Sequence, residues 1–155
     1  MTDISRRSVL VASSMLAMAG AGGTALAADV APAVATKRLA LSGYDPVSYF
    51  TEGRPEKGAV EYQAAFDDAT YWFKSAEHRA LFVADPDHYA PQFAGFCTVM
   101  LSRGVKREAD PEAWVIADSK LYVFSAKEGV GLFREQMASI VPKAAEGWAE
   151  LRQTP

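Results

Sequence analysis

The sequence predicts a small α+β domain, antiparallel β-hairpins packed with helices, and three observations carry that reading. Thr70-Tyr71-Trp72-Phe73 is a β-branched and aromatic run that follows an acidic turn and leads into Ser75, a helix-capping residue. Trp114-Val115-Ile116, Asp118-Ser119-Lys120, Leu121 to Phe124 and Ser125 repeat the same order of strand, turn, strand and capped helix. Beyond them, Leu132, Phe133, Met137 and Trp148 recur at helical spacing. Hairpins followed by helices bury one face of each element against the other, which is the α+β arrangement.

Before the domain comes an address. Ser5-Arg6-Arg7-Ser8-Val9-Leu10 precedes a weakly apolar run that closes on Ala25-Leu26-Ala27, the layout of a twin-arginine export signal over residues 1–27. Ser13, Ser14 and several glycines interrupt the run, so it falls short of the ~18 apolar residues of a membrane span. The expected location is therefore the periplasm, after cleavage behind Ala27. Removing residues 1–27 of 155 leaves 128 and takes away Asp3, Arg6 and Arg7, which moves the net charge from -3 to -4. A chain of that length buries enough surface to fold without staples. Cys97 is the sole cysteine, so no disulfide within the chain and no lipid-bearing cysteine in the signal is expected. A mildly acidic chain without a basic stripe is a poor partner for nucleic acid.

Residues 28–38 lack periodicity and read as a flexible leader, and the domain proper runs from 39 to 155. Gly43 to Pro46 is a turn, with Asp45 capping a short helix through Phe50. Gly53 to Gly58 is a loop. Glu61 to Phe66 alternates, with Tyr62, Ala64 and Phe66 on one side, and Asp67-Asp68 turns the chain into the aromatic strand. A helix from Ser75 stops near Ala84, before Asp85-Pro86, and residues 86–92 form a further short helical turn between prolines. The C-terminal region reads as two helices, 127–140 and 142–151, parted at Pro142. Asp68 to Ser75 and Asp118 to Ser125 have equal spacing, with Leu81-Phe82 echoed one residue late by Leu132-Phe133. Duplication and the plain economy of a hairpin-plus-helix unit both account for this.

Gly43-Tyr44-Asp45-Pro46-Val47-Ser48-Tyr49-Phe50, Tyr71-Trp72-Phe73-Lys74-Ser75-Ala76-Glu77-His78-Arg79, Leu81-Phe82, Asp85-Pro86, Tyr89-Ala90-Pro91 and Gly95-Phe96-Cys97 form ordered blocks. In these blocks the chain resembles the YHS domain family, in particular its exported single-domain branch, over residues 39–101 and more weakly through a C-terminal helical extension. Metal-handling members carry an Asp-Pro-Val-Cys-Gly-Met block and a Phe-Cys-x-x-x-Cys block. Here the resemblance puts Ser48, Lys74 and His78 at the three cysteine positions, and an ammonium at one of them repels a cation. The family's thiolate site is thus expected to be lost.

Three residues remain as candidate metal ligands: His78, Cys97 and Met100. His78, Leu81 and Phe82 share a helix face, so the imidazole points inward and needs either a hydrogen-bond partner or a ligand. Cys97 is either a buried small hydrophobe or a soft ligand. Met100 aligns with it if the segment is helical and diverges if it is a strand. Cys, His and Met together suit copper in its Cu(I) state. Tyr44, Tyr49, Tyr62, Tyr71 and Trp72 read as core, Asp45 as a cap, Asp67-Asp68 as a turn and His88 as exposed. Ser48 has no base beside it, no glycine-rich phosphate loop is present, and the expectation is a non-enzymatic binding module. Its partner would be a soft metal ion or small ligand. The alternative is a structural domain that contacts another exported protein.

Overall fold

Two hairpins each press a pair of inward aromatic rings onto one phenylalanine of the helix that follows, and this contact organises the molecule. The computed structural model describes residues 37–154. The export signal and most of the leader lie outside the described residues. The α+β reading holds: small sheets, mainly antiparallel, are packed with helices.

β1 (Arg38–Leu39) pairs in parallel with β3 (Ala69–Phe73), so Arg38 is already part of the folded unit rather than of a leader. β2 (Ala59–Phe66) pairs antiparallel with β3, giving the order β1-β3-β2. Between the pairs Ala59–Phe73 and Gln63–Trp72, residues 60–62 bulge out. That bulge and its edge position leave Tyr62 38% exposed, against the expectation of a core residue. α1 (Ser48–Thr51) is shorter than expected, and α2 (Ala76–Ala84) starts where Ser75 Oγ accepts the His78 N–H at 3.2 Å. α3 spans only Pro86–Tyr89, with Asp85 Oδ1 accepting the His88 N–H. His88 is half-buried, its ring 4.7 Å from that of Phe50.

The second half follows with α4 (Thr98–Leu101), β4 (Asp110–Ala117), β5 (Lys120–Phe124) and α5 (Glu128–Leu151). α5 corrects two expectations. Ser125 does not cap it, and Pro142 does not end it. The irregular residue is Gln136 (φ -125°, ψ 21°), whose carbonyl accepts the Ser139 hydroxyl at 3.0 Å. Gly147 lets α5 meet α4, since a Cβ there would stand 2.2 Å from the Leu101 carbonyl oxygen.

The chain passes through the same backbone states twice. Leu41, Ser42 and Gly43 (φ 53°, 49°, 78°) match Phe93, Ala94 and Gly95 (57°, 52°, 81°), a run of left-handed residues that is uncommon outside glycine. The Asp45 N–H donates to Glu56 O at 2.8 Å, and the Cys97 N–H to Arg107 O at 2.9 Å. Bridges Tyr44–Lys57 and Phe96–Glu108 correspond, as do the bulges after Ala59 and Asp110. Tyr71 and Phe73 each lie 5.0 Å from Phe82, and Tyr122 and Phe124 lie 4.7 and 5.2 Å from Phe133. The register is one residue off the spacing visible in sequence. Asp67, not Asp68, matches Asp118, and Phe82 matches Phe133 in step. Where β1 pairs with β3, the second half has only a bridge from Pro91 to Leu121, because proline offers no N–H to extend a ladder.

The halves share an interior. Leu121 and Val123 of β5 join Leu41, Val47, Tyr49, Tyr71, Phe73 and Phe82, while Tyr122 and Phe124 turn to Cys97, Val99, Phe133 and Ile140. β5 is thus buried on both faces. Tyr49 ties the halves by donating to Pro111 O, in the second bulge, at 2.9 Å.

Candidate functional site

The repeat places two non-equivalent pieces of chemistry at equivalent positions. In the first half Asp45 is fully buried after the left-handed turn. Its Oδ1 accepts the Val47 N–H at 2.8 Å, a local turn bond in place of the helix cap expected of it, because α1 starts later and Val47 is the residue that precedes it. Its Oδ2 accepts the Lys74 N–H at 2.9 Å and faces His78 Nδ1 at 2.7 Å. One carboxylate therefore joins the turn before α1, the end of β3 and the first turn of α2. His78 is inward, as its helical spacing requires, and its partner is this carboxylate rather than a carbonyl or a tyrosine hydroxyl. Ser48 is spent on structure too: its hydroxyl donates to Asp45 O at 2.7 Å and accepts the Glu56 N–H at 3.2 Å.

Around that pair the charges are already matched. Lys74 Nζ meets Glu52 Oε1 at 2.5 Å, and His78 Nε2 stands 3.9 Å from the same oxygen. The Lys74 ammonium holds the Glu52 carboxyl below the usual carboxylate range. An added cation here would have to displace the lysine.

In the second half the Asp45 position is Cys97 and the His78 position is Gly129. With no side chain at Gly129, the space is a recess of about 190 Å³ lined by Cys97, Val99, Met100, Arg103, Glu128 and Leu132 among others. A Cβ at Gly129 would lie 2.9 Å from Phe124 Cβ, so the glycine also lets α5 close onto β5. Cys97 is 2% exposed at the residue preceding α4, and Met100 is half-buried one helical turn on. Cys97 itself is extended and only Thr98–Leu101 is helical, yet both Cys97 and Met100 line the one recess.

The structure therefore brings Cys97 and Met100 together and puts His78 in the other half, against Asp45. Among the described residues no group of three or more His, Cys, Asp and Glu is arranged to hold a metal ion. Sequence reasoning missed Asp45 as the partner of His78; the pair spans 33 residues and no local spacing announces it. Tyr71 is fully buried in the core, as its sequence context predicts, but no local pattern foresees that among the described residues its hydroxyl has no hydrogen-bond partner. Burial pushes the Tyr71 and Tyr49 phenols above the ordinary tyrosine range, keeping both protonated. No protein-family model, curated protein or solved structure matches this chain.

Proposed function

We propose that this chain is an exported, non-catalytic binding module of the YHS kind, whose remodelled site is the Cys97–Met100 recess and whose ligand is a soft metal ion of the Cu(I) type. The observation that supports this reading is the contrast at equivalent positions. The first half fills the space with an imidazole bonded to a buried carboxylate; the second leaves it open and lines it with sulfur. A thiolate and a thioether in a partly apolar recess suit Cu(I), which accepts soft ligands in low coordination. His78 then acts as a strut, not a ligand. Delivery to the periplasm rests on Arg6 and Arg7, and replacing both with Lys should retain the precursor in the cytoplasm.

Titration of purified protein with Cu(I) against a chromophoric competitor tests the site. Wild type should withdraw one equivalent, while Cys97→Ser and Met100→Leu should lose it with their circular dichroism unchanged. Equal Cu(I) retention by all three would end this reading.

A second reading, an interaction domain for another exported protein, draws support from β2. It is one of the two edge strands of its sheet, and its bulge presents Val60, 51% exposed, and Tyr62.

A further inference from the structure

A cavity of about 270 Å³ opens where the first hairpin turn, the connection from α3 to α4 and the end of α5 converge. Its walls are Phe66 and Tyr71 from the hairpin, Phe93 from the left-handed turn and Trp148 from α5, with Asp67 and Asp87 among its lining. Both carboxylate residues are exposed, whereas Tyr71 is fully buried. Among the described residues the Tyr71 hydroxyl has no hydrogen-bond partner, although a buried hydroxyl ordinarily has one. Left unpaired, the hydroxyl keeps the full cost of having been taken out of water. Phe93 adds to the oddity: a bulky residue held at φ 57° as it lines the cavity.

From these features we propose that the cavity is a binding site for a small arylalkyl amine, with its ring between the aromatic walls and its ammonium on the Tyr71 oxygen. Phenol oxygen accepts from an ammonium N–H, and aromatic faces attract the same charge. The local charge balance agrees. Arg152 binds Asp67 and Asp68 at 2.8 Å each, so that trio keeps one net negative charge, and Asp87 adds a second at the rim. Two further cations stand nearby: Arg38 is occupied by the Ala94 carbonyl and by Glu108 at 2.7 Å, and Lys37, whose ammonium donates to the Asp67 carbonyl, offsets one of the two charges and leaves the other. The volume accommodates one ring with a short chain. This site lies apart from the Cys97 recess and does not depend on the metal reading.

Benzylamine is the probe, followed by NMR titration of the isotope-labelled protein, with benzoate and benzyl alcohol as charge controls. Wild type should show saturable shifts at Tyr71, Phe93 and Trp148 with benzylamine and none with benzoate. Tyr71→Phe should weaken binding about tenfold, the loss of one charge-assisted hydrogen bond, and Asp87→Asn should weaken it less. The Tyr71→Phe protein should melt no lower than wild type, because the hydroxyl it loses is unpaired; this separates a site defect from a folding defect. Cys97→Ser should bind benzylamine unchanged. Absence of saturation, equal affinity for benzoate, undiminished binding by Tyr71→Phe, or a lowered melting temperature of that variant would overturn the proposal.

Discussion

The first half, from Arg38 to Tyr89, and the second, from Gln92 to Leu151, share a backbone plan and an aromatic keystone, yet differ at one pair of positions. Asp45 and His78 close the first half with a buried polar contact spanning three elements; Cys97 and Gly129 leave the second half open. The difference teaches that the fold does not need the polar pair. Tyr122, Phe124 and Phe133 hold their hairpin to its helix without it, at ring distances close to those of Tyr71, Phe73 and Phe82. What the pair contributes is local: it fixes the turn before α1 against α2, and so fills the space that the other half keeps free.

Several substitutions would break this comparison or make it sharper. The largest effect belongs to the keystones. Phe82→Ala and Phe133→Ala should each cost about 3–5 kcal/mol in denaturant unfolding, the usual range for a buried phenylalanine; a loss below 1 kcal/mol at either would show the halves to be unlike in packing. Next comes the polar closure. Asp45→Ala orphans two backbone N–H groups and an imidazole, and should cost about 3–5 kcal/mol, whereas Cys97→Ala at the equivalent place should cost about 1 kcal/mol. Equal costs at the two positions would erase the distinction between a closed and an open half.

Alkaline unfolding offers a smaller effect. Burial raises the phenol of Tyr71, and less strongly that of Tyr122. A group raised in the folded state stabilises fully below its unfolded value of 10.0 and loses that contribution as pH climbs above it. Tyr71→Phe should therefore move the alkaline unfolding midpoint upward by more than Tyr122→Phe does. The smallest expected effect is none: a strong chelator should leave the melting temperature unchanged, because aromatic packing rather than an ion holds both halves.

Much of this architecture was legible from residue pattern. The aromatic strands, the Ser75 cap, the Asp85-Pro86 helix start and the inward face of His78 all follow from local chemistry. The repeat was visible as spacing, but its register was not. Asp68 and Ser75 suggested one alignment; strand pairing, a long-range property, set another with Asp67 at the turn. Pro142 misled because α5 continues through it, with its irregularity six residues earlier at Gln136. The partner of His78 was out of reach for the same reason as the register. Asp45 serves its own turn through one oxygen, and that local role hides the long-range bonds of the other.

The central claim is that soft-metal binding belongs to the open recess of the second half and that the Asp45–His78 pair is structural. Heteronuclear NMR with Ag(I), a redox-inert stand-in for Cu(I), tests it most directly. The account predicts shifts confined to Cys97, Met100 and the start of α5, with the imidazole signals of His78 unmoved. Displacement of the His78 ring nitrogens on adding Ag(I), with Cys97 and Met100 undisturbed, would contradict it.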